Sequence, residues 1–186
     1  MKSVLISIQP KWCELIASGK KTVEVRKTKP KLETPFKCYI YCTKDNTFAE
    51  KTLRGFDDNG KAIYYKANKG KVIGEFVCDR IVQFENSLFD EVLPETIARS
   101  CVPMYDLLVY LGKQDYGYGW HISDLVIYDK PRELSEFKRV CDGNCQTCQY
   151  AIWQTSGWAY EPYIVDCKPI TRPPQSWCYV ESEDTE

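Results

Sequence analysis

The chain has 186 residues and a formal net charge of −1, which suits one domain or a domain with a small appendage. Hydrophobic residues make up 44% of the sequence, so wholesale disorder is excluded. No apolar run approaches the ~18 residues that cross a membrane, and the N-terminus lacks the apolar core of a signal peptide. We therefore expect a cytoplasmic globular protein that does not span a membrane.

The two halves of the chain carry opposite charge. Residues 1–80 contain 17 basic and 9 acidic residues, whereas residues 81–186 contain 8 and 17. The basic residues are densest between Lys20 and Lys31. Such a segment favours an anionic partner such as a phosphate backbone. A solvated face that keeps the protein soluble would show the same pattern.

The first elements of the chain are predicted to be two strands around one helix. Apolar and polar residues alternate from Val4 to Ile8, which is typical of a strand. Pro10 suits the first turn of a helix, and Gly19 suits the left-handed cap at its end. Residues 22–26 alternate again and predict a second strand.

Further along the chain, strands predominate. A strand is predicted from Phe36 to Cys42, and an inserted hairpin is plausible within residues 43–70. The run from Val72 to Phe84 is apolar on both parities, which indicates a long strand that is buried on both faces or bent within a barrel. A helix is predicted over Met104–Leu111 and a strand over Gly119–Tyr128. The pattern favours an α+β fold built as a small β-barrel with flanking helices.

A motif follows the first helix. Residues 19–26 read GKKTVEVR, which has the pattern G-x-K-x-x-E-x-R. With this motif in its strand–helix–glycine–strand context, residues 1–130 resemble the activating signal cointegrator homology (ASCH) domain, whose fold is similar to the PUA domain of RNA-modifying enzymes. The resemblance implies a PUA-like barrel over residues 1–130. Residues 131–186 would then form a separate C-terminal extension.

The motif places charged residues where they can form a site. Glu24 and Arg26 lie two apart on a strand and therefore share a face, and an arginine held by a carboxylate can recognise a phosphate or a base edge. Lys21 lies at the junction of helix and strand, from which it can reach over the barrel mouth. Glu75 is a carboxylate among apolar neighbours, which is typical of paired or functional groups. We predict one cleft shared by these residues, with a routine surface ion pair as the alternative.

The resemblance also raises the question of catalysis. Some ASCH-family members are amidohydrolases that remove the acyl group of N4-acetylcytidine with a Lys, a Thr and a Glu. The resemblance implies Lys21 and Glu75 as the catalytic Lys and Glu, but Glu24 stands at the threonine position. A carboxylate cannot replace a hydroxyl nucleophile without a change of mechanism. The sequence therefore favours binding of RNA or a nucleotide, with an amidohydrolase on an acylated nucleoside and a protein-interaction adaptor as the alternatives.

An aromatic stretch could extend the binding surface. Residues 116–121 read YGYGWH, and aromatic side chains beside a basic groove can stack bases. The same stretch could instead close a corner of the barrel. The predicted contacts to RNA or a nucleotide are Lys20, Lys21, Glu24, Arg26, Tyr118 and Trp120.

The sequence contains ten cysteines, and five of them lie between residues 141 and 178. In a reducing cytoplasm a disulfide framework is not expected, whereas closely spaced thiolates across a turn suit tetrahedral zinc. Unbound core thiols are the alternative. Such a zinc would be structural, because four thiolates leave no open position for water, and it would staple the C-terminal extension. The predicted ligands are Cys141, Cys145, Cys148 and Cys167, with Cys178 as a substitute for the last.

Overall fold

The computed structural model describes residues 2–44, 51–56, 62–66, 69–86, 93–140, 152–156, 159–163 and 169–181. These residues form mostly strands, with three α-helices and one short 3-10 helix. The elements in chain order are β1 (Lys2–Ile8), α1 (Pro10–Ala17), β2 (Val23–Arg26), β3 (Phe36–Cys42), β4 (Lys51–Phe56), β5 (Ala62–Lys66), β6 (Lys71–Cys78), β7 (Ile81–Glu85), α2 (Leu93–Ser100), α3 (Met104–Leu111), β8 (Tyr116–His121), β9 (Ser123–Arg132), the 3-10 helix Leu134–Glu136, β10 (Ile152–Ser156), β11 (Ala159–Tyr163) and β12 (Trp177–Glu181).

The first part of the chain folds as its hydrophobic pattern predicts. β1, α1, β2 and β3 lie where they are expected, and β4 and β5 form the hairpin inserted within residues 43–70. Helix α1 begins at Pro10 and is followed by Gly19 at φ +72°, a left-handed conformation that side chains other than glycine adopt only with strain. This tight end of α1 sends the chain directly into β2.

Two sheets make up most of the described fold. A five-stranded sheet has the order β12-β1-β3-β6-β9, in which β1 and β3 are parallel and the other neighbours antiparallel. A three-stranded antiparallel sheet has the order β2-β8-β7. The pairs β4-β5 and β10-β11 are separate hairpins.

The α+β class is confirmed, but the described strands do not close into a barrel. The chain passes from the five-stranded to the three-stranded sheet at Asp79 and Arg80, and it returns at Ile122. The predicted single strand from Val72 to Phe84 is therefore two strands, since Asp79 and Arg80 are exposed and separate β6 from β7. Apolar residues occur on both parities because β6 is buried on both faces, as one of the sequence alternatives predicted, with Ile73 in one core and Val72 in the other.

Three groups of buried side chains hold these layers together. The largest lies between the five-stranded sheet, α1 and Trp120 of β8. A second covers the opposite face of the five-stranded sheet, around Leu5 and Tyr39. The third packs α3 against Val25 and Phe84 of the three-stranded sheet. Residues of α1, β2 and α3 line one cleft, which forms the candidate site.

The C-terminal residues contribute to the same sheet as the N-terminal ones. β12 pairs antiparallel with β1, with Leu5 opposite Cys178, and β9 runs across residue 130 to Arg132. Cys141, Cys145, Cys148 and Cys167, the four predicted zinc ligands, lie outside the described residues. No described helix has the length and apolar character needed to span a membrane.

Candidate functional site

Strand β2 supplies the charged residues of the candidate site. Its side chains alternate, so that Val25 packs against Leu107 of α3 while Glu24 and Arg26 occupy the opposite face. All four residues of the strand are buried. Lys21, which precedes the strand, is only 2% exposed. The sequence therefore places three formal charges close together in the interior.

Glu24 joins the two cations. Its Oε1 lies 2.9 Å from an Nη atom of Arg26, and its Oε2 lies 3.2 Å from the Nζ atom of Lys21. Buried charges are costly unless they are paired, so the carboxylate is needed to hold both cations here. Two cations against one carboxylate leave a net charge of +1 on this buried network.

The two cations also tie neighbouring segments to β2. Lys21 Nζ donates to the carbonyl of Val23 at 2.9 Å and to that of Ser100, at the end of α2, at 2.7 Å. Arg26 donates to the carbonyl of Ser7, at the end of β1, at 2.6 Å. A longer contact of 3.4 Å reaches the Ser176 hydroxyl. The network therefore fixes four chain segments around one point.

Some hydrogen-bonding capacity in this network is unused. Glu24 Oε2 and Arg26 Nε are both buried and have no hydrogen-bond partner within the part of the chain that the structure describes. The contact between Lys21 and Glu24 Oε2 is an ion pair without hydrogen-bond geometry. Buried polar groups are nearly always hydrogen-bonded in native proteins, so this acceptor and this donor have capacity to bind a water molecule or a ligand.

The network forms the floor of a cleft of about 560 Å³. This volume lies in the range of about 300–1,000 Å³ that is usual for small-ligand sites. Trp12 of α1 and Tyr110 of α3 supply its aromatic side chains, and the five charged residues among its lining give a net charge of +1. The lining residues are Ser7, Ile8, Gln9, Lys11, Trp12, Lys21, Glu24, Val25, Arg26, Thr43, Val102, Asp106, Leu107, Tyr110, Gln175 and Ser176.

The ASCH domain family model matches residues 6–173, which is most of the chain. The chain belongs to the ASCH domain family. No curated protein sequence matches it.

Solved structures of ASCH proteins share the fold. The ASCH protein from Zymomonas mobilis is 18% identical with a TM-score of 0.58, and the alignment covers 97% of this chain and 89% of that one. Two single-residue variants of the Zymomonas protein match with TM-scores of 0.52 and 0.57 at 21% and 17% identity. The alignments cover 72% and 96% of this chain and 77% and 88% of those chains. These likenesses establish the ASCH fold.

Within this ASCH domain, the aromatic rings of the cleft lie among cations. The Nζ atoms of Lys11 and Lys21 lie 4.4 and 5.3 Å from the Trp12 ring centroid, within the range of cation–π attraction. Burial raises the pKa of the Tyr110 phenol, and the nearby Arg26 guanidinium opposes that rise. Tyr110 nevertheless remains 41% exposed at the rim, so its ring is accessible to a ligand.

The structure brings together three of the predicted binding residues, namely Lys21, Glu24 and Arg26. Lys20 is exposed and is not among the residues that line the cleft. Tyr118 is half-buried beside Arg26 in the sheet and also lies outside the lining. The motif alone thus identified the floor of the cleft.

The expectation that Trp120 stacks a base is wrong. Trp120 is fully buried, with its ring 5.9 Å from that of Phe36. The neighbouring Gly117 does not allow a ligand to approach closely, because a Cβ atom there would lie 2.5 Å from the Phe84 ring. Trp120 therefore serves packing between strands.

The expectation that Glu75 shares the cleft is also wrong. Glu75 pairs in register with Tyr39, whose side chain lies in the core on the far face of the five-stranded sheet. There Glu75 lies 3.2 Å from Lys37 Nζ and accepts a 2.6 Å hydrogen bond from the Tyr128 hydroxyl. The pairing register, which the sequence does not reveal, decides that Glu75 and Lys21 lie apart.

The walls of the cleft were missed by sequence reasoning. Trp12, Tyr110, Gln175 and Ser176 come from α1, α3 and the segment before β12. No spacing rule connects residues so far apart in the chain. Only the packing of α1, α3 and β12 around β2 brings them together.

Of the five predicted zinc ligands, only Cys178 falls within the described residues. It is half-buried in β12, and burial raises the pKa of its thiol while Arg139 opposes the rise. No group of three metal-ligating side chains occurs within the described residues.

Proposed function

We propose that this ASCH domain binds a nucleotide unit of RNA in the cleft beside β2. The observation that carries the proposal is the buried Lys21–Glu24–Arg26 network, which has unused hydrogen-bonding capacity and forms the floor of an aromatic-walled cleft. A nucleotide combines a flat ring, hydrogen-bonding edges and an anionic phosphate, and the cleft offers a complement to each.

The complementarity follows from the chemistry of the lining. Trp12 and Tyr110 can stack against a base, a contact worth about 1–3 kcal/mol per base. After a small rotation Glu24 can accept from an exocyclic amine, as acidic side chains do from cytosine. The net positive charge and the exposed Lys11 favour the phosphate.

The two alternative functions have less support. Hydrolysis by Lys21 and Glu75 would need both in one site, whereas Glu75 lies on the far face of the five-stranded sheet. Two of the three Lys21 ammonium protons are donated to backbone carbonyls, so the group acts as a buried cation in this arrangement. Within the described residues, the structure therefore gives hydrolysis by this pair no support.

Two tyrosines of the same helix allow a matched test. Tyr110 lines the cleft, whereas Tyr105 is 76% exposed and is not part of the lining. We expect Tyr110→Ala to weaken binding of a nucleoside monophosphate about tenfold, since loss of one stacking contact of about 1.4 kcal/mol has this effect. Isothermal titration with each of the common ribonucleotides measures it.

Tyr105→Ala is the control and should bind like the wild type. Failure of every ribonucleotide and of single-stranded RNA to bind the wild type would contradict the proposal. Equal loss in both variants would place the binding surface elsewhere on α3.

We also propose one structural zinc ion per chain, held by Cys141, Cys145, Cys148 and Cys167. The support is the spacing of these cysteines, which suits a tetrahedral thiolate site. Elemental analysis of protein purified without chelator should find about one zinc, and Cys145→Ser should release it. Absence of zinc from the wild type would remove the proposal.

A further inference from the structure

Residues 27–31 form an exposed basic segment beside the cleft, which we name the lysine ridge. Its sequence, KTKPK, contains three lysines and no acidic residue. All three lysines are exposed. The ridge follows directly after Arg26, which lines the cleft, so it adjoins the cleft in the chain.

The ridge is held in place by the C-terminal strand. Trp177 Nε1 donates to the Thr28 hydroxyl at 3.1 Å, and the backbone N–H of Lys31 donates to the Tyr179 hydroxyl at 2.7 Å. Pro30 between them is buried. Because these contacts fix the backbone, the lysine side chains are presented to solvent from a defined position.

Two of the ridge lysines lie over tyrosine rings. Lys27 Nζ is 5.2 Å from the Tyr110 ring centroid, and Lys29 Nζ is 5.6 Å from that of Tyr118. Tyr110 also lines the cleft, so the ridge and the cleft share an aromatic boundary. Surfaces that bind single-stranded nucleic acid typically combine cations along the path of the phosphate backbone with aromatic rings on which the bases stack.

We infer that the lysine ridge binds the backbone of a single-stranded RNA whose neighbouring nucleotide occupies the cleft. The inference rests on the proposed function and extends it from one nucleotide to a strand. Single-stranded RNA is favoured over a duplex, because a base that enters the cleft must unstack from its neighbours, and the bases of a single strand can do so. A run of lysines is often only a solvated surface, but this one is fixed in place and continuous with the cleft.

A matched pair of double variants of the full chain tests the inference. Lys29→Ala with Lys31→Ala removes two ridge charges, and Lys113→Ala with Lys130→Ala removes two equally exposed charges elsewhere. Lys27 is retained because it contacts Tyr110. The probes are a short oligouridylate and uridine monophosphate, each titrated over a range of salt concentrations.

We expect the oligonucleotide to bind more tightly than the monophosphate. The ridge variant should reduce the slope of log K against log salt by about 1.4, because each phosphate contact on a single strand contributes about 0.7. Its binding of the monophosphate should be unchanged, and the control variant should behave like the wild type with both probes.

The outcomes separate the ridge from the cleft. If the oligonucleotide binds no more tightly than the monophosphate, the inference about the ridge is wrong, and the proposed nucleotide binding in the cleft is unaffected. Equal changes of slope in the ridge and control variants also overturn it. A reduced salt slope in the ridge variant, together with unchanged nucleotide binding by Tyr110→Ala, supports RNA binding at the ridge and contradicts nucleotide binding in the cleft.

Discussion

Two glutamates in this protein occupy opposite faces of the fold, and their surroundings differ in kind. Glu24 is buried between Lys21 and Arg26, and its Oε2 has no hydrogen-bond partner among the described residues. Glu75 has a side chain that is 24% exposed, with Lys37 at one oxygen and the Tyr128 hydroxyl at the other. Both are carboxylates within strands, and the sequence predicted that both line one cleft.

The comparison shows that the two carboxylates differ in burial and in hydrogen bonding, although both oxygens of each lie near a cation or a donor. Glu75 is partly exposed, has a partner at each oxygen and is not among the residues that line the cleft. Glu24 has capacity left, in a network that lines a cavity. Unused hydrogen-bonding capacity beside a cleft is therefore a stronger indicator of function here than a carboxylate in an apolar strand.

The largest expected effect is that of Glu24→Ala. Removal of the carboxylate leaves Lys21 and Arg26 buried without a counter-charge, and breaking a buried pair in this way costs about 3–5 kcal/mol. Urea unfolding followed by tryptophan fluorescence measures the free energy of unfolding. A loss below about 1 kcal/mol would show that Glu24 behaves like a surface ion-pair partner.

The same argument applies to Glu24→Thr. The substitution restores the residue type of the related amidohydrolases, but it also removes the charge that holds Lys21 and Arg26. We expect a loss of stability similar to that of Glu24→Ala and no gain in hydrolysis of N4-acetylcytidine, because Glu75 lies elsewhere. Release of acetate by the folded variant would contradict this expectation.

A smaller effect is expected from Glu75→Ala. The carboxylate is partly exposed, so the loss of its ion pair and its hydrogen bond should lower the free energy of unfolding by about 1–2 kcal/mol. Nucleotide binding should be unchanged. Glu33→Ala is the control, because Glu33 is exposed and its removal should alter neither property. A loss of nucleotide binding in the Glu75→Ala variant would show that Glu75 contributes to the cleft.

The smallest effect is expected from Tyr128→Phe, which loses one hydrogen bond to Glu75 and also alters the dependence of stability on alkaline pH. Burial, followed by the hydrogen bond to Glu75, raises the pKa of the Tyr128 phenol. In the unfolded chain the phenol titrates at about pH 10. The stability that the buried, neutral phenol contributes is therefore fully present below that pH, and it is lost as the pH rises toward the folded pKa. Wild-type stability should therefore fall more steeply above about pH 10 than that of the variant. Parallel pH profiles would show that the phenol does not titrate differently in the folded state.

The sequence by itself determined the local structure around the motif. Alternation identified β1, β2 and β3, and Pro10 and Gly19 marked the two ends of α1. These features depend on neighbouring residues only, through period-two patterning and the backbone preferences of proline and glycine. The same local rules placed Glu24 and Arg26 on one face, and the motif context indicated the ASCH family.

The tertiary structure alone decided which faces meet. The sequence could not show that β6 and β7 belong to different sheets, that Glu75 faces Tyr128, or that Trp120 is enclosed. Each depends on pairing partners distant in the chain, and a strand pattern gives the alternation of its faces without naming what covers each face. The cleft exists because α1, α3 and the segment before β12 converge on β2, and only long-range packing brings them there.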